Sequence, residues 1–228
     1  MVIIKRYLTE VRYTFYYSFK FKFLIYSMFS RNNYTVFMIT MRIDKQGIPL
    51  WFRCFKGNEC HEAFQEELIK TGISYVSELF NNNFDLIFLA DRWFNPTGIM
   101  EHINSLGHTY VLGLKKNIKV LHFDKKEGHK IWKFLSDLPK YKYHSIAYSN
   151  IEFTDKKYIT NIVISDAVDT DDPWILATNG DKNNAIKDYS YRFDGIESVF
   201  KNQKSNGFFI ENTTNASLDY FKSMYCFE

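Results

Sequence analysis

Two short stretches, far apart in the chain, hold the residue types from which phosphate and metal chemistry is built. In YSYRFDGIESVFKNQKSNGF, running from Tyr189 to Phe208, Glu197 is followed by Phe200, Lys201 and Lys204 at offsets of three, four and seven. Those offsets are one face of an α-helix, with Gly195 a loosening point and the helix running on through Ile196. Two turns, roughly 10 Å along the axis, separate Glu197 from Lys204. Tyr189 and Arg192 stand one to two turns upstream, so a carboxylate is bracketed by a phenol, a guanidinium and an ammonium. Such a row suits a polyanion held on its phosphates beside a metal-binding acid. The plainer reading of the same spacing is an amphipathic helix with an intrahelical Glu–Lys face. The second stretch is FDLIFLADRWF, an almost unbroken apolar run that reaches an acid at Asp91. A strand apolar on both faces belongs to the buried parallel centre of an α/β sheet, and the carboxyl ends of such strands are where these sheets place their chemistry. An Asp ending a strand is also often just a cap.

The elements that must position these residues follow from periodicity. Residues 1–20 are aromatic and basic without a clean period and are expected to be helical. FKFLIYSMF, YTVFMITMRI and IPLWFRCFKG are β-branched and aromatic runs separated by the polar turns SRNN and DKQG, a three-stranded antiparallel meander with Pro49 tolerated at the start of its third strand. His61 to Asn82 carries Phe64, Leu68, Ile69, Ile73, Val76, Leu79 and Phe80, a helical stripe that packs on a sheet. The Asp91 strand comes next, then a helix over 97–106 closed by Gly107, then the strand HTYVLGLKK. Short strand-like runs fill 117–172, IEFTDKKYITNIVIS being the clearest. DPWILATNG is a last strand, after which Asp181 caps the long helix.

These features resemble the DDE transposases of bacterial insertion sequences, in the group named for its Tyr, Arg, Glu and Lys motif. Tyr189 and Arg192 have that motif's two intervening residues and Glu197 and Lys204 its six, while four residues rather than three separate Arg192 from Glu197. ADRWF is similar to the segment carrying the family's second aspartate, and the resemblance spans roughly residues 22–212. It implies an α/β fold: a ribonuclease-H-like mixed sheet flanked by helices, with a β-rich insertion before the last catalytic helix. It implies DNA cleavage and strand transfer at transposon ends by a two-metal mechanism, with Asp91 and Glu197 catalytic and metal-binding. Tyr189, Arg192, Lys201 and Lys204 would then hold DNA. The cofactor it implies is Mg²⁺ or Mn²⁺, two ions in a complete site. The partners are double-stranded DNA, as transposon inverted repeats and target, and a second copy of the chain in a DNA complex.

One ligand is missing. The family's first aspartate lies on the opening strand of the meander, FKFLIYSMF, which holds no acid, and the family's register puts Tyr26 in its place. Asp44 is the nearest carboxylate, but it sits in a turn, and a strand of ten residues spans roughly 33 Å. A phenol with a pKa near 10 is a poor Mg²⁺ ligand at neutral pH. The short segments before the first strand and after the Lys motif point the same way. The expectation is a truncated, catalytically impaired copy. The alternatives are a non-catalytic DNA-binding remnant and another ribonuclease-H-like nuclease.

Composition sets the outer bounds. A 228-residue chain that is 46% hydrophobic can bury a substantial core. We divide it into a remnant N-terminal segment (1–20), the first part of the core (21–116), the β-rich insertion (117–172), and the last core strand with the C-terminal helix (173–228). A net charge of +3 permits nucleic acid without demanding it. Between Val11 and Ile43 there is no Asp or Glu, yet Arg12, Lys20, Lys22, Arg31 and Arg42 are present, a strip that fits DNA phosphates or simply a solvated face. Cys54, Cys60 and Cys226 form no zinc spacing with His61 and read as buried thiols of a reduced, cytoplasmic protein. Lys20, Lys22 and Arg31 interrupt the aromatic N-terminal run, so no membrane span is expected. Trp93, Trp132 and Trp174 could stack on a flipped base but are expected in the core, and His102 and His108 could assist proton transfer but are expected as satisfied histidines.

Overall fold

A computed structural model describes residues 21–29, 34–43, 46–56, 62–80, 84–92, 96–124, 126–140, 144–153, 157–166 and 173–192. For most of the first three strands only the backbone is described. The meander forms as read: β1 (Phe21–Phe29), β2 (Tyr34–Ile43) and β3 (Gln46–Lys56) pair antiparallel in sequence order. Strand β3 begins earlier than expected, which leaves Pro49 inside it. The β2–β3 register slips there, Ile39 facing Trp51 while Thr40 faces Pro49. A proline, lacking an N–H, is accommodated at such a bulge on a strand that ends the sheet.

Helix α1 (Glu62–Leu79) buries Ile69, Gly72, Ile73, Val76 and Ser77, the three-four spacing of a sheet-facing stripe. Phe64, at its start, departs from that stripe and is exposed. Close approach explains the glycine: a Cβ at Gly72 would lie 2.6 Å from the Trp51 ring. Strand β4 (Leu86–Ala90) is wholly buried. Helix α2 (Pro96–Ser105) ends on Gly107, whose φ of +75° a residue with a side chain adopts poorly, and the His108 N–H returns to the Ile103 carbonyl at 3.1 Å. Strand β5 (Thr109–Gly113) follows, and β1, β4 and β5 run parallel.

The region read as an insertion extends the same sheet. Strands β6 (Lys119–Asp124), β7 (His129–Phe134), β8 (Ser145–Phe153), β9 (Ile159–Ser165) and β10 (Trp174–Thr178) are antiparallel. Among the described residues the sheet is mixed and ten-stranded, with the order β3-β2-β1-β4-β5-β10-β9-β8-β6-β7. IEFTDKKYITNIVIS, read as one strand-like run, holds the end of β8 and all of β9. Asp181 was expected to cap the following helix; its carboxylate accepts the Asn183 N–H at 3.0 Å and so closes the turn at 182–184 instead, and the helix (α3, residues 185–192) begins only after it.

The side chains of β4 divide between two cores. Leu86, Phe88 and Ala90 join a large cluster with Ile69, Ile73, Val76 and the apolar face of α2, whereas Ile87 and Leu89 join Val111, Leu176, Ala185 and Tyr189. Helices therefore cover both faces of the sheet, and period-two alternation carries the next residue, Asp91, to the α3 face.

Candidate functional site

Asp91 stands where β4 leaves the sheet, half-buried. Its Oδ1 accepts the backbone N–H of Arg92 at 2.7 Å and the hydroxyl of Tyr189 at 3.2 Å. Its Oδ2 meets Arg192 Nη1 at 2.7 Å. Tyr189 and Arg192 are three apart on α3, hence neighbours on one helical face, and the guanidinium lies 5.0 Å from the Tyr189 ring centroid. Trp174, at the start of β10, packs edge-on against the same ring at 5.1 Å. Burial, with the Asp91 charge adding to it, pushes the Tyr189 phenol far above its ordinary value although Arg192 pulls the other way. Tyr189 is thus a permanent hydrogen-bond donor at neutral pH.

One residue of this arrangement was not singled out from sequence, and a second was given no part in it. Gly113 ends β5, and a Cβ there would lie 2.6 Å from the Tyr189 hydroxyl and 3.1 Å from the Arg92 nitrogen. An isolated glycine in a strand is itself a signal of close approach. Trp174 was expected in the core and does pack there, but as the wall behind Tyr189. The Asp91 carboxylate is thus held by one guanidinium, that of Arg192, and by the backbone N–H of Arg92. Beside it opens a cavity of about 460 Å³ whose lining includes Arg92, Lys116, Phe134, Lys140 and Ile175.

Of the residues expected at the site, the structure brings together Asp91, Tyr189 and Arg192. Glu197, Lys201 and Lys204 lie outside the described residues, as do Asp44, Trp93, Cys60, Cys226 and the side chains of the basic strip between residues 11 and 43. The backbone of Tyr26 is described: β1 pairs with β4 so that Ile25 faces Ala90, and Tyr26 and Asp91 each follow by one position. His108 is buried against Ser77 Oγ at 2.7 Å, and His102 shares its Nε2 between Ser74 Oγ at 2.9 Å and the Lys70 carbonyl at 3.1 Å. Both are satisfied, as read. Trp132 is a correction: expected in the core, it is half exposed, because it faces outward on β7, the terminal strand of the sheet. Among the described residues no group of three or more His, Cys, Asp or Glu gathers to hold a metal, and no helix is long and apolar enough to cross a membrane.

No protein-family model matches the chain and no curated protein matches it. Among solved structures it is similar to Ciona intestinalis endonuclease V, in complex with a 24mer DNA containing an inosine followed by a ribo-adenosine. That match has a TM-score of 0.40 and 11% identity and covers 82% of this chain and 88% of the other. A likeness so loose carries no functional weight; the side chains around Asp91 do.

Proposed function

We propose that the chain carries the ribonuclease-H-like core of a DDE transposase of the insertion-sequence type, binds double-stranded DNA through it, and is impaired in DNA cleavage and strand transfer. One observation carries this reading: Asp91 and the Tyr189–Arg192 pair, drawn from segments 98 residues apart, adjoin at one end of a buried sheet. The strand-end acid and the first residues of the Tyr189 stretch, two of the features behind the family resemblance, are thus neighbours in space. The run β3-β2-β1-β4-β5, with β2 antiparallel to its neighbours and β1, β4 and β5 parallel, supports the same core.

The impairment follows from ligand number. Two divalent ions would stabilise the attacking and leaving oxygens of in-line displacement at phosphorus, and they need several carboxylates. The described residues supply one, Asp91, and both of its oxygens are engaged. They do not by themselves fit a metal pair. Glu197 follows Arg192 by five residues, so their Cα atoms are within roughly 18 Å in any conformation, near enough for Glu197 to be a second ligand. At the register position beside Asp91 on β1 stands Tyr26 in place of an acid.

The test pairs DNA binding with metal titration. The expected result is duplex binding at low ionic strength that weakens steeply with salt, its slope flattened by Lys204→Ala, together with one weak Mn²⁺ site that Asp91→Asn abolishes. Mg²⁺-dependent nicking of a plasmid by the wild-type chain, lost in Asp91→Asn, would make it an active enzyme instead. Failure to bind duplex DNA at any salt would end the reading.

A further inference from the structure

The outer face of the β6–β7 ribbon carries three large aromatic side chains that no core explains. Phe123, Trp132 and Phe134 are 52%, 50% and 40% exposed. Three cross-strand pairs make up that face: Lys119 with Phe134, Leu121 with Trp132, and Phe123 with Lys130. The two outer rungs thus set a ring against a lysine, and the middle one sets Leu121 against the Trp132 ring. Lys119 Nζ lies 5.1 Å from the Phe134 ring centroid, and Lys130 Nζ is 4.0 Å from the half-buried Glu152 carboxylate. Lone exposed apolar residues are ordinary, but an aligned set on one ribbon marks an interaction surface.

We infer that this ribbon is a stacking platform for unpaired DNA, a few nucleotides of single strand laid across β6 and β7 toward Asp91. Charge selects the occupant. Residues 115–140 hold eight lysines (115, 116, 119, 125, 126, 130, 133 and 140) against three acids (124, 127 and 137). Of the acids, Asp124 is neutralised by Lys133, whose hydrogen bond is the main cause that holds its carboxyl down to about 2. A second copy of the chain pairing along β7, which ends the sheet among the described residues, would bring Lys130 and Lys133 of the two copies together, the arrangement by which edge strands repel one another. Spacing fits as well. Successive rungs on one face are roughly 6.7 Å apart, about twice the 3.4 Å per phosphate of one B-DNA strand, so bases laid one per rung are unstacked from each other and stacked on protein. The platform also runs on into the cavity. Phe134 belongs to both, and the cavity's lining also includes Arg92, the residue after Asp91.

The inference takes its class of ligand from the proposed function, and its test is arranged to separate the two. An oligo(dT) of about 12 nucleotides, within the site sizes typical of stacking proteins, is titrated in EDTA beside a duplex of equal length. Single strand should bind several-fold more tightly than duplex. Trp132→Ala should weaken it about tenfold, with Trp132→Phe restoring most of the loss, because what matters is a π-face. These positions are exposed, so unchanged thermal melting is expected and checks that the variants fold. Equal binding by wild type and Trp132→Ala would overturn the inference. So would a preference for duplex, or a Trp132→Ala variant that loses only self-association. Single-strand binding that persists where duplex binding is absent would sink the transposase reading and leave the platform standing.

Discussion

Arg192 Nη1 lies 2.7 Å from Asp91 Oδ2, and the pair is partly shielded, its side chains 20% and 31% exposed. A guanidinium at that distance competes with any cation for the carboxylate. Arg192→Ala should therefore raise Mn²⁺ affinity at least threefold in calorimetry while weakening DNA binding. Stability should fall by about 1 kcal/mol, since the pair is neither fully exposed nor fully buried. A fall in metal affinity would mean that Arg192 assembles the site instead of blocking it.

The contact between Gly113 and Tyr189 gives a second, independent handle. A methyl group at Gly113 would press on the Tyr189 hydroxyl at 2.6 Å, so Gly113→Ala should destabilise the chain by about 1–3 kcal/mol. Tyr189→Phe keeps the ring against Trp174 but loses its hydrogen bond to Asp91, at a cost of about 1–2 kcal/mol. Combining them removes the atom that clashes, and the double variant should be more stable than the sum of its parts by 0.5 kcal/mol or more, about the least coupling seen between contacting residues. Strict additivity in urea denaturation would refute the contact.

Much of this fold is written locally, and the parts that are not have a common cause. The three meander strands match their sequence runs closely because β-branched runs bounded by polar turns specify strands without help from elsewhere. Asp91 was legible as a strand-end acid for the same reason. The partners of Asp91 were not. Tyr189 and Arg192 read as phosphate-gripping residues, and only the pairing of β10 with β5 places α3 over the end of β4. The end of β8 and all of β9 were read as one strand-like run because TDKK separates two runs of similar β propensity by only a few polar residues. Trp132 was assigned to the core because hydrophobicity cannot tell a terminal strand from a central one; that distinction lies in sheet order.

Histidines make stability depend on pH. Burial holds His108 below its ordinary value, with Asp85 pulling weakly upward, and burial likewise lowers His102 and His122. A histidine depressed in the folded state binds protons more readily when unfolded, so stability rises with pH through this range and is lost as pH falls below about 6.5. Urea midpoints should drop between about pH 7.5 and pH 5.5. His108→Gln, which can still hydrogen-bond Ser77, should lower the midpoint at high pH but flatten the profile. An unaltered profile would assign the pH dependence to other groups.

Position 26 tests whether the site lacks only an acid. Adjacent strands are about 4.8 Å apart, and the facing of Ile25 and Ala90 puts the next residues, Tyr26 and Asp91, at one level of the sheet. An aspartate introduced there adds a carboxylate at the place from which the proposed metal pair lacks one. Tyr26→Asp should raise Mn²⁺ affinity at least tenfold and convert weak single-site binding to two coupled sites. Should that variant bind metal no better than wild type, with its fold intact by circular dichroism, a missing ligand on β1 is not what limits the site. Should it bind two ions yet leave plasmid DNA uncut, the deficit lies in placing DNA over Asp91, and the lysines at 201 and 204 become the next positions to probe.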